Sequence, residues 1–149
     1  MDGISGGCAC GTVRFRAAGS PFWSVLCHCA DCRTATGAAS TGWLGFAKAS
    51  VAWTGTRSFL RTSPGATRGA CPDCGAALSY MSTRHPGELY LCAAALDDPG
   101  AFRPEAHVHW SERVPDAGGQ DDLPRHSGRA PAVLTSLRPA PPGRADPSG

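Results

Sequence analysis

Residues 71–75 read Cys71-Pro72-Asp73-Cys74-Gly75, a pair of cysteines within a short stretch rich in turn-forming residues. Two cysteines separated by two residues, with a proline between them and a glycine after them, favour a tight turn. Backbone N–H groups in such a turn can point at the sulfurs and stabilise thiolates. The stretch is therefore typical of a knuckle that binds zinc.

Other cysteines fall in short clusters on either side of this knuckle. The chain holds eight cysteines, arranged as Cys8-Ala9-Cys10, Cys27-His28-Cys29-Ala30-Asp31-Cys32, the knuckle, and Cys92 alone. In a reducing compartment, clustered cysteines are metal ligands or catalytic thiols more often than disulfides. The grouping therefore predicts metal sites.

Counting the ligands divides these clusters into two zinc sites. A tetrahedral zinc with bonds of about 2.3 Å needs sulfurs about 3.8 Å apart, which closely spaced cysteines can supply. The outer two pairs each offer two ligands and combine into a closed site of Cys8, Cys10, Cys71 and Cys74. The central cluster offers Cys27, Cys29 and Cys32 to a second ion. Because the fourth position of that ion stays open to water or an exogenous thiol, we expect the catalytic chemistry there.

Composition explains why metal is needed. The 149 residues fit one domain, yet only 22 of them are Leu, Ile, Val or Phe, whereas Gly and Pro contribute 19 and 13. Apolar burial alone is thin for this length, and the tryptophans are expected in the core. A net charge of +2 gives no strong signal for nucleic acid.

The two ends of the sequence bear on location and domain bounds. The first residues have neither a basic nor an apolar region of a signal peptide, and the longest apolar stretch, 89–96, is too short to span a bilayer. We therefore expect a cytoplasmic protein with no membrane span. A domain is predicted over residues 4–124, followed by a Pro/Gly/Ala-rich disordered tail over 125–149.

Alternation of apolar and polar residues predicts a mainly β domain with few short helical turns. A short helical turn is expected within residues 29–37, ending at Gly37, and a brief helix after Asp98 and Pro99. The predicted strands are residues 11–17, 22–27, 43–46, 51–54, 57–61, 76–81, 88–94 and 108–114.

The order of these motifs resembles that of the glutathione-dependent formaldehyde-activating enzyme family, which shares its domain with centromere protein V. The resemblance covers Ile4 to about Pro124 and is carried by four stretches: 6–15, 27–33, 71–75 and 96–99. It implies a mostly antiparallel β-tent fold, a structural zinc at Cys8, Cys10, Cys71 and Cys74, and a second zinc at Cys27, Cys29 and Cys32. It also implies a carbon–sulfur lyase that forms or cleaves S-hydroxymethylglutathione.

This chain departs from the family pattern at Ala70, where members often carry an aromatic residue, and at Asp116, where they often carry tryptophan. His107 fits a late histidine of the family. The expected partner is a small-molecule thiol or thiol–aldehyde adduct, because a zinc ion with an open position favours the thiolate form of a bound thiol.

Several alternatives stay open at this point. Cys92 is expected to pack in the core, but as a fourth ligand it would close the second site and leave a non-catalytic interaction module with two structural zincs. His28 lies between two ligands on a strand-like segment, so it is predicted to point away from them and to face solvent. A thiol other than glutathione is a further alternative.

Overall fold

Ten β-strands form the framework of the described chain, which comprises residues 3–116 and 120–129 of a computed structural model. The strands are β1 (Gly3–Gly7), β2 (Arg14–Ala18), β3 (Trp23–Cys27), β4 (Thr41–Ala47), β5 (Val51–Thr54), β6 (Ser58–Ser63), β7 (Ala66–Ala70), β8 (Ala77–Ser82), β9 (Glu88–Cys92) and β10 (Ala106–Val108). Within the same residues there is one α-helix, α1 (Ala30–Thr36), and there are four 3-10 helices: Lys48–Ser50, Ala93–Ala95, Pro99–Ala101 and Trp110–Glu112. None of these helices has the length and apolar character needed to cross a bilayer.

The strands form two sheets. A three-stranded sheet has the order β1-β2-β5, and a seven-stranded sheet has the order β10-β3-β4-β9-β8-β7-β6. Neighbouring strands pair antiparallel, except that β10 runs parallel to β3. The predicted mainly β, largely antiparallel fold is confirmed.

Strand β4 contributes to two hydrophobic clusters because successive side chains of a strand point to opposite faces. Leu44 and Phe46 belong to a cluster that also contains Phe15 of β2, so this cluster joins the two sheets. Trp43 belongs to a second cluster with Trp23 of β3. Both of these tryptophans are buried, as expected from the shortage of aliphatic side chains, whereas Trp53 and Trp110 are only half-buried.

Helix α1 begins directly after β3 and is two turns long, somewhat longer than the single turn predicted. Cys29 is its N-cap, and its sulfur accepts a hydrogen bond from the backbone N–H of Cys32. The helix ends at Gly37, which has a φ of 78° and donates its N–H to the carbonyl of Arg33 at 2.8 Å. Glycine adopts this left-handed conformation without a Cβ penalty, which explains the predicted stop.

The structure has two strands that were not predicted, and it contradicts one that was. Strands β1 and β7 are absent from the prediction because GISGG and ATRGA carry small residues and little alternation. They form because each pairs along its length with a neighbouring strand. The predicted last strand, 108–114, is wrong: β10 ends at Val108, and His109, with a φ of 54°, turns the chain into a 3-10 helix.

Residues 120–129 return to lie beside β10. The backbone N–H of His107 donates to the carbonyl of Pro124, that of His126 donates to the carbonyl of His107, and that of His109 donates to the carbonyl of Gly128. The domain end predicted at residue 124 therefore falls within a hydrogen-bonded stretch that continues to residue 128. Residues 130–149 of the predicted disordered tail lie outside the described residues.

The close approach of β1 to the second sheet depends on Gly6. A Cβ added there would collide with the backbone oxygen of Ala95 and lie 2.5 Å from Phe15 Cζ. We expect Gly6→Ala to lower the free energy of unfolding by about 1–3 kcal/mol, the usual cost of overpacking. Urea denaturation measures this free energy. Gly87→Ala is the control, because a Cβ at Gly87 meets no atom within 4 Å. Equal stability of the two variants would contradict this account.

Candidate metal centres

Four cysteines from distant parts of the chain converge at one end of the two sheets. The sulfurs of Cys8, Cys10, Cys71 and Cys74 all lie within 4.8 Å of one another. The sulfur of Cys10 is 3.6 Å from that of Cys8 and 3.7 Å from that of Cys71. These separations match the roughly 3.8 Å between thiolates around a tetrahedral zinc, and all four thiols are free of disulfides. The group therefore fits the closed four-thiolate site predicted from the sequence.

Two glycine turns place the sulfurs of this group. Gly11, with a φ of 84°, donates its N–H to the carbonyl of Cys8, and Gly75, with a φ of 79°, donates its N–H to the carbonyl of Cys71. The backbone N–H of Val13 donates to the sulfur of Cys8 at 3.2 Å, and this hydrogen bond lowers the pKa of Cys8 to about 6. The turn thereby favours the thiolate that a metal needs.

The knuckle supplies similar hydrogen bonds on the other side. The N–H groups of Asp73 and Cys74 point at the sulfur of Cys71 at 3.3 and 3.4 Å. Cys8 follows β1 in the three-stranded sheet, whereas Cys71 follows β7 in the seven-stranded sheet. A metal held by this group would consequently join the two sheets.

The second group has three sulfurs. Cys27 ends β3, Cys29 caps α1 and Cys32 lies in the first turn of α1, and their sulfurs lie within 4.8 Å of one another. The sulfurs of Cys27 and Cys32 are 3.7 Å apart, and these residues are only 6% and 5% exposed. Cys29 is half-buried. The three sulfurs fit three corners of a tetrahedron.

A cation and hydrogen bonds favour negative charge on Cys32, whereas hydrogen bonds to the other two thiols and burial raise the pKa of Cys27. The thiols of Cys27 and Cys29 and the guanidinium of Arg68 lower the pKa of Cys32 well below its ordinary range. Nη2 of Arg68 lies 3.3 Å from the sulfur of Cys32 and 2.7 Å from Oδ2 of Asp31. The thiolate is the form in which cysteine binds metal, so Cys32 is the member of the group that Arg68 prepares for a metal.

A cavity of about 380 Å³ adjoins the three sulfurs. Its wall includes Trp23, Trp43, Tyr80 and Tyr90, together with Arg68. The rings of Tyr80 and Tyr90 stack with centroids 5.6 Å apart, and burial raises the pKa of Tyr90 to about 12. The cavity therefore offers a small molecule an aromatic wall beside the sulfurs.

His28 is buried, contrary to the prediction that it faces solvent, and is only 2% exposed. Its Nε2 lies 2.8 Å from Nδ1 of His107, and Nε2 of His107 lies 3.1 Å from the carboxylate of Asp121. The prediction failed because the rings of His107 and Trp110 pack against the His28 ring, with centroids 5.0 and 4.9 Å away. Neither histidine belongs to the three-sulfur group, so His28 does point away from its neighbours' sulfurs.

Cys92, the remaining cysteine, belongs to neither group among the described residues. It is 3% exposed and packs in the cluster of Trp23 and Trp43. This position agrees with the expected role in the core. The alternative in which Cys92 completes a second closed site finds no support in the geometry of the described chain.

Two residues of this region were missed by the sequence reasoning. Arg68 sits on β7, three positions before the knuckle, and no motif marks it. Asp121 lies beyond the family motifs and reaches His107 only because the chain returns beside β10. For Arg68 the sequence offered one clue, its position just before the knuckle. The strand that carries Arg68 leads directly into the knuckle and so places both near the sulfur groups.

Comparison with known proteins agrees with the fold and the motifs. The chain resembles the crystal structure of a Rhodobacter sphaeroides protein that was a structural-genomics target, with a TM-score of 0.52 and 19% identity, over 62% of this chain and 87% of that one. This likeness supports the fold alone. No curated protein sequence matches the chain. The family model described as glutathione-dependent formaldehyde-activating enzyme matches residues 3–112. The chain therefore belongs to the glutathione-dependent formaldehyde-activating enzyme family.

Proposed function

We propose that this protein is a carbon–sulfur lyase that forms and cleaves a thiol–aldehyde adduct, with S-hydroxymethylglutathione as the first candidate. The observation that carries the proposal is the group of Cys27, Cys29 and Cys32, three sulfurs rather than four, beside an aromatic cavity. The family's name, which joins glutathione and formaldehyde, supports the choice of substrates.

We further propose that two zinc ions bind per chain. Cys8, Cys10, Cys71 and Cys74 would hold a structural ion, and Cys27, Cys29 and Cys32 would hold the second, which leaves one position for a thiol. Zinc bound there would lower the pKa of that thiol and so keep it as a thiolate near neutral pH.

The side chains of the cavity give this thiol its surroundings. Trp23, Trp43, Tyr80 and Tyr90 form an aromatic wall beside the three sulfurs. In the direction of synthesis, a sulfur lone pair forms a C–S bond to the aldehyde carbon, and the carbonyl π pair moves onto oxygen, which takes a proton from water. Cleavage is the reverse, in which the hydroxyl returns its proton to water and the C–S pair leaves with sulfur.

The cellular setting follows from the same thiols. All eight cysteines are free in the structure. Free, clustered thiols are typical of a reducing compartment, so we propose that the protein works in the cytoplasm on a small-molecule thiol.

The proposal is tested by following the exchange between free formaldehyde and its glutathione adduct with proton exchange spectroscopy. We expect the protein to raise the exchange rate at least about tenfold, equivalent to lowering the barrier by about 1.4 kcal/mol. This threshold is needed because a free thiol adds to an aldehyde without a catalyst. Equal rates with and without protein would rule out the reaction for this substrate and favour a non-catalytic zinc-binding module.

A further inference from the structure

Two buried donors in the described residues lack a hydrogen-bond partner: Nε1 of Trp23 and Nη1 of Arg68. Both residues line the cavity beside Cys27, Cys29 and Cys32. A buried donor left unsatisfied destabilises the folded chain, and more so when it carries charge. Two such donors, on residues that line one cavity, point to a ligand that brings hydrogen-bond acceptors.

The other donors of Arg68 are all used. Its Nε donates to Oγ1 of Thr62 at 3.0 Å, and its Nη2 donates to Oδ2 of Asp31 at 2.7 Å and points at the sulfur of Cys32 at 3.3 Å. A guanidinium has five N–H groups, so the two on Nη1 remain.

The guanidinium is also held in place by packing. Arg68 is only 8% exposed, and its Cζ lies 4.8 Å from the centroid of the Tyr80 ring. Its orientation is therefore set before a ligand arrives. Such preorganisation is what makes a donor effective in catalysis, because no reorganisation is needed as charge develops.

The unused donors lie on the residue that contacts the sulfur group. In a thiol–formaldehyde adduct the oxygen is one carbon away from the sulfur, and it carries the negative charge that develops when the C–S bond forms. A thiol docked beside Cys32 thus brings this oxygen to the neighbourhood of Arg68. Trp23 Nε1 makes no hydrogen bond to the sulfurs, whereas Arg68 contacts Cys32 directly, so Arg68 is the better placed of the two donors.

We propose that Arg68 is a catalytic residue whose Nη1 donates a hydrogen bond to the aldehyde oxygen as the oxygen gains negative charge. This inference rests on the proposed function and adds the group that stabilises the reacting oxygen. In synthesis the π pair of the carbonyl moves onto the oxygen bound by Arg68 before a proton arrives from water. In cleavage the same hydrogen bond stabilises the oxygen after its proton has gone to water and before the C–S bond breaks.

Two variants test the proposal. Arg68→Lys keeps a positive charge beside Cys32 and Asp31 but has no Nη1, and Arg68→Ala removes the whole group. We expect both to slow glutathione–formaldehyde exchange, the alanine variant about 100-fold, as for the loss of one oxyanion donor. Guanidinium chloride at low concentration should restore part of the rate of Arg68→Ala and none of that of Arg68→Lys.

Two readouts separate catalysis from a structural role. Glutathione binding, measured calorimetrically without formaldehyde, should stay within about twofold of wild type, since the lost contact forms mainly in the transition state. Bound metal per chain should also be unchanged. Arg61→Ala, which removes an exposed arginine from neighbouring β6, is the matched control and should exchange at the wild-type rate.

The outcomes are distinct. A wild-type rate for Arg68→Lys, or glutathione binding that falls in proportion to the rate, would overturn the role of Arg68 while leaving the lyase proposal intact. If Arg68→Ala fails to fold, Arg68→Lys decides alone. Failure of the wild-type protein to accelerate exchange would overturn the lyase proposal, and with it the role of Arg68.

Discussion

Cys71→Ser should remove one metal ion per chain and abolish cooperative thermal unfolding. Cys71 is buried in the four-cysteine group, and its sulfur receives two backbone N–H groups. Structural zinc contributes about 10–16 kcal/mol to folding in small zinc domains, whereas whole domains are stable by about 5–15 kcal/mol. Because few aliphatic side chains are available to offset the loss, we expect the two sheets to separate. Calorimetry and metal analysis of the purified variant measure both effects.

Cys92→Ser is the matched control for this experiment. It makes the same substitution at another buried cysteine, one outside both sulfur groups. Burying its hydroxyl should cost about 1–3 kcal/mol and leave both metal ions in place. If Cys71→Ser retained two metal ions per chain, or unfolded no earlier than Cys92→Ser, the four-cysteine group would not be a structural metal site.

The cysteine clusters could be predicted from the sequence because their geometry is local. Within Cys71-Pro72-Asp73-Cys74 the spacing of the two sulfurs is set by one turn, and Gly75 supplies the left-handed residue that closes it. The end of α1 at Gly37 has the same local cause. Only the pairing of the first and third clusters is long-range, and there the ligand count left one simple arrangement.

What the sequence could not show depends on pairing between distant segments. The sequences of β1 and β7 have a weak propensity for β-structure. They become strands because neighbouring strands pair with them along their length. His28 is buried because the rings of His107 and Trp110 pack against it, and no local pattern carries that information. The unpaired Nη1 of Arg68 could not be predicted either, because only the folded chain shows that no acceptor of the described residues lies near it.

Cys29→Ser should abolish the exchange reaction while leaving the fold intact. Cys29 is half-buried and caps α1 by accepting the N–H of Cys32 at 3.3 Å. Serine is a preferred N-cap residue, so its hydroxyl can take over this hydrogen bond and preserve the helix. A hydroxyl is a poor substitute for a thiolate as a zinc ligand, so the second site would keep only Cys27 and Cys32. We expect bound metal to fall from two ions per chain to one.

The pattern of losses distinguishes the two sulfur groups. In Cys29→Ser thermal unfolding should stay cooperative, because the four-cysteine group that joins the two sheets keeps its ion, although loss of the second ion lowers the midpoint. Exchange should drop to the rate without protein. Cys92→Ser should keep both the metal and the exchange rate. Two bound ions in Cys29→Ser, or exchange that continues after the second ion is lost, would show that the chemistry does not depend on the three-cysteine group.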